Sequence, residues 1–143
     1  GGDEWAERLK IDGDDYTSLL IKSVADRLAE ATAEWLHEKI RTEYWGYAQQ
    51  TQAEGIRPAF GYPSLPDLSL IFEANNLLKL KDIGVYISEN GAMKPNASIC
   101  GLHISHPKAS YFMIGKIGTD QKEDYARRRG LSSTELGKWL LNN

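Results

Sequence analysis

The chain has 143 residues, 41% of them hydrophobic and 26% charged, which suits one soluble globular domain with a single core. A formal net charge of -3 gives no electrostatic reason to expect nucleic acid, and no apolar run reaches the length of a membrane span. The lone cysteine, Cys100, excludes an internal disulfide, and without a charged-then-apolar leader at the N-terminus a reducing, cytoplasmic setting is expected.

The chain opens at Gly1-Gly2 without a methionine, which is consistent with a processing scar or with the interior of a longer protein. Asp14 or Asp15 is a suitable N-cap for a long helix running to about Tyr44. On a helical wheel Leu20, Ile21, Val24, Ala25, Leu28, Ala31, Trp35 and Leu36 cover a broad arc, so this helix is expected to be buried on most sides. Lys22, Asp26, Glu30, His37 and Arg41 share the narrower arc that remains. Asp26 and Glu30 lie one turn apart as like charges, a mild cost that Lys22 or Arg27 is placed to relieve. That stripe reads equally as an ordinary solvated face.

Residues 55–67, GIRPAFGYPSLPD, hold an arginine, two aromatics and three prolines in a short stiff segment. Pro58, Pro63 and Pro66 fix φ and lack an N–H, which argues against helix or central strand and leaves carbonyls free to accept. Gly61 permits close backbone approach, Arg57 carries a fork that matches a carboxylate or phosphate, and Tyr62 adds a ring and a hydroxyl. The segment is either a ligand loop for a zwitterion with an aromatic base or a stiffened surface connector. Asp67 then caps a second helix to about Leu80. The period changes to two, predicting strands over 85–88, 98–105 and 111–117, with turns at Glu89-Asn90-Gly91 and at His106-Pro107. A helix over 121–129 stopped by Gly130, and another opened by a capping box of Ser132 and Glu135, complete the chain. The order predicts an α+β fold: a long buried helix and further helices packed on an antiparallel β-sheet.

Cys100, His103 and His106 have a spacing that invites zinc, but residues three apart on a strand face opposite ways and no fourth ligand is evident, so no metal is expected. Arg127, Arg128 and Arg129 sit in the last turn of a predicted helix, where cations suit the dipole. No phosphate loop, nucleophile elbow or Ser/His/Asp order is present, so no catalytic residue is assigned.

Four blocks, taken in their joint order and spacing, go further: DDY at 14–16 with ADRLAEATAEWLHEKIR at 25–41, WGYA at 45–48, the 55–67 segment, and SHPKASYF at 105–112 followed by DQKEDYARRRGLSSTELGKWL at 120–140. With these the chain resembles the C-terminal part of the activation domain of cobalamin (vitamin B12)-dependent methionine synthase. The resemblance implies that residues 1–143 are one unit, a portion of a domain about twice as long whose earlier half is missing. It implies a module that binds S-adenosylmethionine for the remethylation of cob(II)alamin in a methyltransferase that makes methionine from homocysteine and methyltetrahydrofolate. This chain alone is not expected to complete that cycle.

The implied partners are a cobalamin-binding module of the same enzyme and a flavodoxin-type electron donor, with zinc confined to another module. Carried over by position, Arg57 grips the methionine carboxylate, with Ala59 and Tyr62 in the same segment. Tyr111 and Phe112 pack against the ligand, Phe112 standing where the family more often has a second tyrosine. Glu30 faces the amino group or sulfonium, and Asp26 is assigned to the cobalamin-module interface. The alternative function is a protein-interaction module that docks on a cobalamin or flavodoxin-type partner without binding ligand.

Overall fold

The computed structural model describes residues 1–45, 55–106 and 108–140, and its contacts divide the chain into two units. The first comprises Gly1–Ala53 and Leu78–Ile99, the second Glu54–Leu77 and Cys100–Asn143. Pro107 and most of the WGYA block lie outside the described residues.

The first unit opens with helix α1, Gly2–Ile11, which the sequence reading did not anticipate. Asp3 and Glu4 in its first turn and Arg8 and Lys10 in its last complement the helix dipole. The chain reverses at Gly13, whose φ of +85° suits glycine, and Asp14 then caps α2, Asp15–Lys39, by accepting from the Thr17 N–H. A π-helical turn, Ile40–Tyr44, extends α2 to the predicted end, closed by Trp45 N–H donating to the Ile40 carbonyl at 2.9 Å. The Ser18 hydroxyl donates to the Ala6 carbonyl at 2.7 Å, a buried bond that fixes α2 against α1.

Burial of α2 differs from expectation. Its inward face is made of Ser18, Ala25, Ala29, Ala33 and His37, whereas the large apolar residues Leu20, Val24, Leu28 and Trp35 are exposed. The predicted apolar arc took in the exposed large residues and only the edge of the inward face, at Ala25, whereas Ala29, Ala33 and His37 lie beyond it; the face of small side chains is the one that lets another backbone come close. Strands β1, Tyr86–Ile87, and β2, Met93–Lys94, form an antiparallel hairpin in register Tyr86↔Lys94 and Ile87↔Met93. Its turn is the predicted one, with Gly91 at φ +77°. Asn96 N–H donates to Asp3 at 3.0 Å and ties the hairpin's far end to α1.

In the second unit, α3 spans Leu70–Leu78, α4 Thr119–Arg129 and α5 Ser133–Gly137. Gly130 stops α4 at φ +68°, and Ser132 with Glu135 forms the capping box that opens α5. Ala126, Leu136 and Leu140 are buried together, with Ile117, Tyr125 and Leu131 packed around them. Phe72 meets Trp139 edge to face with ring centroids 5.4 Å apart.

The α+β class holds, but two predicted strands do not form as such. Among the described residues, positions 98–105 make only the bridges Ala59↔Gly101 and Ile56↔Ile104, because Pro58 on the facing segment has no N–H to give a continuous ladder. Residues 111–117 form no strand, because Tyr111 and Phe112 are bonded to residues of 55–67 through side chains.

Candidate ligand-binding site

Residues 55–67 are more strand-like than three prolines suggest. From Ile56 to Phe60 burial alternates, with Ile56, Pro58 and Phe60 inward and Arg57 and Ala59 on the more open side. Ile56 exchanges both backbone bonds with Ile104, at 3.0 and 2.9 Å, and Leu102 N–H donates to the Pro58 carbonyl at 3.0 Å. Both bridges share one antiparallel register, which puts Arg57 opposite His103 and Ala59 opposite Gly101. A Cβ on Gly101 would lie 2.4 Å from the Pro58 carbonyl oxygen, so this close approach requires glycine.

Beyond Ala59 the backbone folds into a tight reversal. Gly61, at φ +82°, donates to the Leu65 carbonyl at 2.9 Å, and Leu65 N–H donates to the Tyr62 carbonyl at 2.8 Å. The carbonyls of Ile56, Pro58, Ala59, Tyr62 and Leu65 accept these backbone bonds, so only part of the segment's carbonyls is taken up by its own fold.

Two contacts bring the segment to the predicted aromatic pair. Arg57 N–H donates to the Tyr111 hydroxyl oxygen at 2.7 Å, and the Ser64 hydroxyl meets the Phe112 backbone, accepting from its N–H at 3.4 Å. Tyr62, Tyr111 and Phe112 are exposed, and Arg57 and Ala59 half-buried. Burial and the neighbouring Arg57 charge hold His103 below the ordinary imidazole range, so it stays neutral and does not add a second cation. Arginine beside open aromatic rings can grip a carboxylate at one point and cover a planar base at another.

The far end of the segment is anchored by residues the sequence reading did not combine. Asp67, almost completely buried, accepts from the Ser69 N–H at 2.9 Å and Ser69 hydroxyl at 2.6 Å, forming the turn that leads into α3. Its other oxygen accepts from the Tyr125 hydroxyl at 2.8 Å and faces Arg129 at 3.3 Å. Burial, then the bond to Asp67, push the Tyr125 phenol up to about 12. Arg129 also donates to the Ser69 hydroxyl at 3.1 Å, and so leaves the basic run. Arg127 and Arg128 are solvated and paired with Asp124, as a helix end requires. No periodicity links positions 67, 125 and 129, so only the tertiary fold reveals this cluster.

Glu30 and Asp26 are exposed on α2, in the first unit. Among the described residues no ion pair joins Asp26 to Lys22 or Arg27. Also among the described residues, no group of three His, Cys, Asp or Glu side chains is placed to hold a metal. Burial raises the Cys100 thiol, and His106 serves its turn, its Nδ1 accepting from the Lys108 N–H at 3.0 Å.

Residues 1–130 match the family described as the vitamin B12 dependent methionine synthase activation domain. The chain belongs to that family. Among solved structures it is similar to the MetH reactivation domain bound to AdoHcy, with a TM-score of 0.91 and 42% sequence identity over 99% of this chain. The alignment covers 47% of that structure's chain, so the present activation-domain sequence spans about half the length of its solved relative. The relative shares the α+β architecture described above.

Proposed function

We propose that this chain binds S-adenosylmethionine and serves the reductive reactivation of a cobalamin-dependent methionine synthase. The observation that carries the reading is the convergence of Arg57, Tyr111 and Phe112, held together by the 2.7 Å bond from the Arg57 N–H to the Tyr111 hydroxyl and by Ser64. The AdoHcy in the solved relative, which lacks only the transferable methyl and its sulfonium charge, supports it.

Arg57 binds the methionine carboxylate through its guanidinium, and Ala59, on the same open side of the segment, leaves room for the ligand backbone. Tyr62, Tyr111 and Phe112 supply ring faces for the adenosyl part. Glu30 offers a negative charge to the amino group or the sulfonium, and Asp26 contributes to the face toward the cobalamin-binding module. Cobalamin, on that neighbouring module, supplies the methyl-accepting cobalt once a flavodoxin-type donor has delivered an electron. The residues here fix the donor's orientation and give proximity rather than acid–base chemistry. The reaction takes place in the cytoplasm, and zinc belongs to another module of the enzyme.

A docking module that binds no ligand is the competing reading, and Arg57→Ala separates the two. S-adenosylmethionine at saturating concentration should raise the Tm of the natural chain and leave that of Arg57→Ala unmoved, with matching circular dichroism for both. An equal rise in the variant would reject the assignment of Arg57. Partner docking that persists in Arg57→Ala but is lost on charge reversal at Asp26 and Arg27, with no ligand-induced rise in either protein, would favour the docking module.

A further inference from the structure

The outward face of α2 is a continuous apolar stripe, left exposed among the described residues. Tyr16, Leu20, Val24, Leu28, Ala31 and Trp35 follow one another at spacings of four, four, four, three and four, which keeps them on one side of the helix over about 28 Å. All six are exposed, Leu28 at 63% and Trp35 at 57%. The opposite side of the same helix already packs inward through Ser18, Ala29 and His37, so the stripe is a second, separate face. A row of large apolar side chains in water is unusual for a surface helix, which carries polar residues on its outer side.

We propose that this stripe is the docking face for a polypeptide equivalent to the remainder of the reactivation domain, joined to this chain or supplied separately. More than half of the solved relative's chain has no counterpart in these 143 residues, while what is present superposes along nearly its whole length. The occupant of the face must bring an apolar surface about as long as five turns of helix. Arg27 and Glu34, both exposed on the stripe's border, give the rim of that contact one charge of each sign.

The proposal is independent of ligand binding, since it is read without S-adenosylmethionine. The tagged 143-residue chain is co-expressed with the segment of the solved relative that it does not cover, and the purified product is sized. A one-to-one complex is expected. Leu28→Asp with Trp35→Asp should abolish it or weaken it at least about tenfold, while Glu123→Lys, exposed on α4 in the other unit, should leave it intact. Far-UV circular dichroism of the double variant alone should match that of the natural chain. Absence of a complex, or a complex that survives both substitutions, would overturn the proposal. So would a dimer of the natural chain that the same substitutions dissolve, which would assign the stripe to a second copy.

Discussion

Arg57 and His103 stand opposite each other because two bridges, at Ile56↔Ile104 and Ala59↔Gly101, leave only one register between them. The Arg57 charge helps to hold the imidazole neutral, so neutralising that charge should release it. An NMR titration should therefore find the His103 pKa higher with S-adenosylmethionine bound than without, and higher in Arg57→Ala than in the natural chain. No change on ligand addition would mean that the carboxylate does not sit on Arg57. Tyr111 also contacts the arginine, its hydroxyl accepting from the Arg57 backbone N–H. Tyr111→Phe keeps the ring and loses the acceptor, worth about 1 kcal/mol, so the affinity for S-adenosylmethionine should fall about fivefold with the fold retained. Arg57 was legible in the sequence as a chemical group, and the resemblance named Tyr111 as a ligand residue, but the bond between them comes from the fold alone. His103 was weighed there only against zinc, since its partner across the chain is set by register and not by spacing.

At the scale of elements, the ligand segment is clamped at both ends by different physics. Near Arg57 the clamp is steric: Gly101 must lack a Cβ for residues 56–59 to approach. Gly101→Ala should separate the two bridged segments, costing about 1–3 kcal/mol of stability and weakening ligand binding together with it, as checked by denaturant unfolding and titration. At the other end the clamp is a buried carboxylate, Asp67, serving Ser69, Tyr125 and Arg129. Asp67→Ala leaves Arg129 facing no partner on that side and should destabilise the fold by about 3 kcal/mol, measured the same way.

Tyr125 adds a pH signature. Its folded pKa of about 12 lies above the ordinary phenol value of 10.0, so the folded state holds the proton more tightly than the unfolded chain. That stability is fully present below pH 10 and is lost as pH rises toward 12; Tyr125→Phe should flatten this part of an alkaline unfolding curve. Helices with capping signals, at Asp14, Gly130 and Ser132, were readable in sequence because each cap is local. Helix α1 was missed for want of such a signal, and the expected strands over 98–105 and 111–117 failed because pairing depends on what lies across from them.

At the scale of the whole molecule, family membership rests on 130 matched residues, and the fold on a relative 42% identical over 99% of this chain. The stripe of α2 shows what hydrophobic periodicity can and cannot say. It picked out Leu20, Val24, Leu28 and Trp35 but not Tyr16, and assigned them to this chain's own interior, because a pattern records which side chains avoid water and not which polypeptide covers them. Isothermal titration of the 143-residue chain with S-adenosylmethionine tests the central claim most directly, with Arg57→Ala run in parallel. Saturable heat at one site per chain, lost in the variant, is the predicted result; a flat titration of the folded natural chain, or identical binding by the variant, would contradict it.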